Sequence, residues 1–150
     1  MFSPVVLLCA LLAQTQSSVL VTTHPGADEV SLWGYGQQDG KYFEYVVSEA
    51  RFAKVPEWAP EKQIPPLAIT KAIEVAKQAT RAEHPEFKEL FPWNISINQA
   101  SSRDAHNRWF YVIEFYPLVN GQPSPFTHVT ALVLMDGGVV KPREQKPLPK

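Results

Sequence analysis

The chain has 150 residues, of which 45% are hydrophobic and 19% charged, with 14 Lys and Arg against 15 Asp and Glu. That length suits one domain with a real core. A formal charge of −1 supplies no general field to recruit nucleic acid or an anionic membrane, and the single cysteine, Cys9, leaves no basis for a disulfide framework.

Val5-Val6-Leu7-Leu8-Cys9-Ala10-Leu11-Leu12-Ala13 is an apolar run, followed by the small polar stretch Gln14-Thr15-Gln16-Ser17-Ser18. Together they read as the apolar and cleavage regions of a secretory signal peptide over residues 1–18, too short to span a bilayer. Cleavage is expected between Ala13 and Ser18, which makes the product exported, periplasmic or secreted. No Lys or Arg precedes Lys41, so the amino terminus alone supplies the positive end; the alternative reading is an N-terminal core strand. Cleavage would remove Cys9 and leave the domain over 19–140 without a thiol nucleophile or sulfur ligand.

Val30-Ser31-Leu32-Trp33-Gly34-Tyr35 reads as a strand, and Gln37-Gln38-Asp39-Gly40 as a hairpin turn. Tyr42 to Phe52 is dense in aromatics and valine and reads as a second strand, with a helical alternative near Val47 to Lys54. The prolines between Val55 and Pro66 make that stretch a connector. It leads to the one long segment of helical period, Pro65 to Ala82. There Ile69, Ala72, Ile73, Ala76 and Thr80 form the expected buried stripe. Ala68 is a poor N-cap, whereas Lys77, Arg81, His84 and Pro85 mark the end. Phe87, Leu90 and Phe91 are expected to close one end of the core.

The remainder reads as sheet. Ile95 and Ile97 alternate with Asn94, Ser96 and Asn98, a strand wet on one side. Arg108 to Tyr116 is bulky on both faces and therefore central. A turn over Asn120 to Pro125 returns the chain along Phe126 to Met135, and Asp136-Gly137-Gly138 turns it into Val139-Val140. Residues 141–150, rich in proline and lysine, read as a flexible tail. The expectation is a two-layer α+β domain: one main helix packed on an antiparallel sheet of about four to five strands.

No phosphate loop, dinucleotide fingerprint, Gly-x-Ser-x-Gly or His-Glu-x-x-His is present. Asp104 and His106 share a loop that His128, on a strand, could come near; no cysteine or second close histidine supports a metal there, and the preferred reading is a solvated polar loop. Glu114 interrupts an apolar strand, where a carboxylate either titrates unusually or simply faces out. The aromatics Trp33, Tyr35, Trp58, Trp93 and Trp109 are either core or a binding face. Asn94-Ile95-Ser96 matches the N-glycosylation sequon.

Pro66 to Ala76, Trp109 to Phe115 and Val133 to Val140, taken in that order, resemble the PepSY-like domains of exported bacterial proteins over roughly residues 65–142. The resemblance implies a small cystatin-like sheet-and-helix domain outside the cytoplasm, engaged in binding or in restraining peptidases, with no catalytic residues. Ala68 and the Trp33 to Phe52 region depart from it. The Gln-x-Val-x-Gly loop of true cystatins is absent, so inhibition of cysteine proteases is not carried over.

The sequence therefore predicts an exported, non-enzymatic binding or regulatory domain whose partner is another protein or peptide, with no nucleic acid, no cofactor, no metal and no membrane span after cleavage. Its candidate surface is Trp33, Tyr35, Trp58, Trp93, Glu114 and His128, or an exposed β-edge. The alternative is a small-ligand carrier or enzyme with a pocket between helix and sheet, using Glu114, His128, Asp104 or His106. A third reading tethers the protein to an anionic polymer through its basic tail.

Overall fold

The computed structural model describes residues 26, 28–36, 41–100, 107–124 and 127–145, with Tyr35 and Gly36 described by their backbone alone. The predicted signal peptide, the Gln37 to Gly40 turn and the Asp104 and His106 loop lie outside the described residues.

In chain order the elements are β1 (Glu29–Gly36), β2 (Tyr42–Ser48), α1 (Glu49–Phe52), α2 (Ile69–Glu83), β3 (Leu90–Gln99), β4 (Trp109–Val119), β5 (Gln122–Pro123), β6 (Val129–Leu134), β7 (Val139–Val140) and β8 (Pro142–Gln145). They build two antiparallel sheets. The smaller has three strands in the order β1-β2-β8; the larger has five, with β3-β4-β6-β7 in a row and β5 paired to β4.

The expected two-layer α+β fold with one main helix on one sheet is overturned: the described chain is mostly β, in two sheets with two short helices. The reason lies in β4 and β6. Phe110, Tyr111, Val112 and Ile113 are all buried, as are Ala131, Leu132, Val133 and Leu134. Successive strand residues point to opposite faces, so both faces of the larger sheet need a cover. Helix α2 packs on β6, β4 and β7, and the Tyr111 hydroxyl donates to the Leu67 carbonyl just ahead of it, at 2.6 Å. One helix cannot cover the second face. The smaller sheet contributes Tyr45, fully buried, whose hydroxyl donates to the Thr130 carbonyl on β6 at 2.6 Å.

The helix itself packs through small side chains. Ala72, Ala76 and Thr80 are buried, Ile73 is half-buried, and Ile69, expected in the stripe, is 45% exposed. Alanines let the helix axis come close to the β6 surface, which leaves Ile69, in the first turn, outside the contact. Ala68 is the N-cap and makes no side-chain cap bond. At the other end the His84 amide donates to the Thr80 carbonyl.

Two more expectations are corrected. The strand read as Tyr42 to Phe52 stops at Ser48, whose hydroxyl accepts from the Arg51 amide and caps the single turn of α1. The tail read as flexible from Lys141 begins with β8, which pairs Pro142 to Tyr45, Arg143 to Glu44, Glu144 to Phe43 and Gln145 to Tyr42. Strands β7 and β8 are thus one extended run, broken only at Lys141, that leaves one sheet and joins the other. The hairpin between β4 and β5 turns on Asn120 and Gly121, both at positive φ, as a two-residue turn of this kind requires.

Candidate functional site

Strand β3 closes one end of the larger sheet, with β4 as its only paired neighbour among the described residues. Its first residue, Leu90, is buried opposite Pro117, but the pairing register slips between Pro92 and Asn94. Proline lacks the N–H that a ladder position needs, and a bulge is where a strand accommodates it. The extra residue is Trp93. It is 64% exposed, and its ring lies against Tyr116 with centroids 5.3 Å apart. Phe91, opposite Tyr116, is also exposed. Asn94 sits opposite Glu114 and donates from Nδ2 to its carboxylate at 3.1 Å. A flat aromatic surface bordered by a carboxylate and an amide can exclude water from an apolar group while accepting hydrogen bonds from a donor beside it.

Of the residues predicted from sequence, Trp93 and Glu114 come together here, joined through Asn94 and Tyr116. The others do not. Trp58 is buried, donates from its indole to the Gln63 carbonyl at 2.8 Å, and meets Trp109 edge to face at 5.4 Å. The Trp109 indole donates to the Trp58 carbonyl at 2.9 Å. This pair pins the proline-rich connector onto the end of β4, with both indole N–H groups already engaged. Trp33 packs partly against the core opposite Tyr45, and the Tyr35 backbone pairs with Phe43. His128 is exposed just ahead of β6. Sequence reasoning passed over Phe91 and Tyr116 as surface residues; Pro92 within a strand pattern was the available signal.

Two polar constellations lie elsewhere. On β2, Glu44 is buried at 3% exposure. Its carboxylate accepts from the Ser31 hydroxyl at 2.5 Å and from the Gln145 amide, while Arg143 stands 3.8 Å away and holds both Glu29 oxygens at 3.1 Å. All these groups come from the smaller sheet, so they join its three strands. The second is the pair Arg51–Asp136, which ties α1 to the turn between β6 and β7. Burial works to raise the Asp136 carboxyl, but the Arg51 hydrogen bond, the Gly138 amide and the guanidinium charge outweigh it and hold it below the ordinary carboxylate value. Burial likewise pushes the Tyr111 phenol up. Both groups thus stay in one protonation state near neutrality, which suits holding a structure more than moving protons.

A shallow hollow of about 320 Å³ lies between β2 and the β6–β7 hairpin, lined among others by Val46, Ser48, Arg51, Leu134 and Lys141. Neither Glu114 nor His128 lines it. Among the described residues no group of three His, Cys, Asp or Glu stands close enough to hold a metal ion, and no helix is long and apolar enough to cross a membrane. Comparison of the chain with models of protein families, with curated proteins and with solved structures found no match.

Proposed function

We propose that this chain is an exported, non-enzymatic binding domain that engages another protein or peptide through Trp93, Tyr116 and Phe91, with Glu114 and Asn94 as the polar border. The observation that carries the reading is Trp93: a bulge turns it outward, it is 64% exposed, and Tyr116 braces it from the side. Leaving an indole in water forfeits burial that a small domain can use, and tryptophan and tyrosine are among the residues enriched at the hot spots of protein interfaces. The signal-like pattern of residues 1–18, an apolar run followed by small polar residues, supports export.

The test is comparative capture from the culture medium or cell envelope of the source. The wild-type domain should retain a partner that Trp93→Ser and Tyr116→Ser lose by tenfold or more, while Val119→Ser, an exposed apolar control on the same strand as Tyr116, retains it. Equal capture by all four proteins would refute the reading.

A further inference from the structure

We infer that the open edge of β3 pairs with the same edge of a second copy, in antiparallel register, with the twofold axis at Ser96. The inference is independent of the partner proposed for Trp93.

The backbone sets which groups are free. The Ala100 amide donates to the Arg108 carbonyl at 3.0 Å, and the register continues as Asn98 opposite Phe110 and Ser96 opposite Val112. In an antiparallel pair a residue directs its N–H and C=O to the same side, and the side alternates along the strand. Ser96, Asn98 and Ala100 therefore bond to β4, while Ile95, Ile97 and Gln99 aim their N–H and C=O away from it. No strand among the described residues takes them.

Nothing in β3 resists pairing beyond the bulge. From Leu90 to Gln99 there is no charged side chain, and Pro92 and the bulge break only the first part of the edge. The outer edge of β1, by contrast, carries Glu29, a register break between Ser31 and Trp33, and Gly34 and Gly36.

The sequence then selects the partner and the register. Asn94-Ile95-Ser96-Ile97-Asn98 reads the same in both directions. A twofold interface brings residue i against j and j against i. An axis at Ser96 places Ile95 opposite Ile97 of the second copy, Ile97 opposite Ile95, and Asn94 opposite Asn98. Every outward N–H and C=O of the two isoleucines then meets a counterpart, giving four intermolecular hydrogen bonds. Four isoleucine side chains fall together on one face, and Asn and Ser side chains fall together on the other. The two copies present the same sheet face to the same side. The two Trp93 residues, each three positions from the axis, stand about 20 Å apart along the strands. A contact this short lies at the small end of specific interfaces, so monomer and dimer interconvert and the balance follows concentration.

Sedimentation velocity of the full chain across a concentration series should show reversible dimerisation. Ser96→Asp, which sets two carboxylates against each other on the axis, and Ile97→Lys, which adds charge beside the edge, should each weaken the dimer at least tenfold, with the thermal midpoint close to that of wild type at dilutions where wild type is monomeric. The register has its own readout. With Cys9 replaced by Ser, Ser96→Cys should cross-link to a covalent dimer under mild oxidation, because a non-hydrogen-bonded pair brings Cα atoms within disulfide reach. Asn94→Cys and Asn98→Cys alone should not. A monomer at every concentration, or cross-linking at 94 or 98 in place of 96, would overturn the inference; the first result would leave the edge to a strand of a different protein.

Discussion

In the larger sheet, β4 and β6 bury apolar side chains on both faces, and their pairing is backed by helix on one side and sheet on the other. In the smaller sheet, β2 turns Tyr45 and Val47 inward, but its outer face is held by Glu44, Ser31, Gln145, Arg143 and Glu29. One sheet is fastened by removing oil from water and the other largely by charge and hydrogen bonds. The first kind of fastening is not screened by dissolved ions; the second, where its charges reach solvent, is. Stability should therefore be graded across the molecule, with the smaller sheet opening first.

The largest test of this contrast strikes the larger sheet. Leu132→Ala, at a fully buried position on β6, should cost about 2–5 kcal/mol, read as a loss in denaturant midpoint that reaches every amide protected from hydrogen exchange. Next comes the joint between the sheets. Tyr45→Phe removes the donor to the Thr130 carbonyl and should cost about 1–3 kcal/mol, because a buried acceptor is left unpaired. Exchange should rise in β2 more than in β4.

Acid should weaken a second joint between the two sheets, the Arg51–Asp136 pair. The Asp136 carboxyl is held below its ordinary value in the folded protein, so its contribution is complete above the unfolded carboxylate pKa. That contribution is lost as pH falls through the lower folded value. Asp136→Asn should flatten this acid dependence, measured as thermal midpoint against pH, with the difference from wild type greatest near neutrality. Smallest of all, Ile69→Ser should shift stability by about 0.5 kcal/mol or less, since the residue sits largely in solvent. A large loss there would restore the broader helix stripe that the sequence predicts.

How much of this was legible beforehand follows from what each signal encodes. The runs Trp109 to Phe115 and Val129 to Leu134 announce buried strands because their own residues leave no polar face. The helix is legible from its period, though its packing face is narrower than hydrophobicity indicates, since close contact favours Ala72 and Ala76 over Ile69. Strand β8 was hidden: Pro142, Arg143 and Glu144 look like a solvated tail, and their role depends on Tyr42 to Tyr45, about a hundred positions earlier in the chain. No local pattern carries that pairing. Ser48 as a cap for α1 was equally easy to miss within a valine-rich stretch. Of the candidate surface, Trp93 and Glu114 were visible as residue types, but the bulge that unites them with Tyr116 arises from a register slip, which only the paired strand reveals.

Strand β8 has one more consequence, for solubility. It covers the Tyr42–Tyr45 edge of β2 with a short segment bearing proline and both signs of charge, the features that make a strand edge unwelcoming. Removing residues from Lys141 onward would strip away that guard and take two partners from Glu44. A molecule that pairs only through β3 stops at two copies; one with β2 also bare has a second place to add a neighbour, and its assembly no longer closes. Proteolytic trimming at Lys141 would therefore turn a reversible pair into an open-ended polymer, visible as turbidity that grows with time.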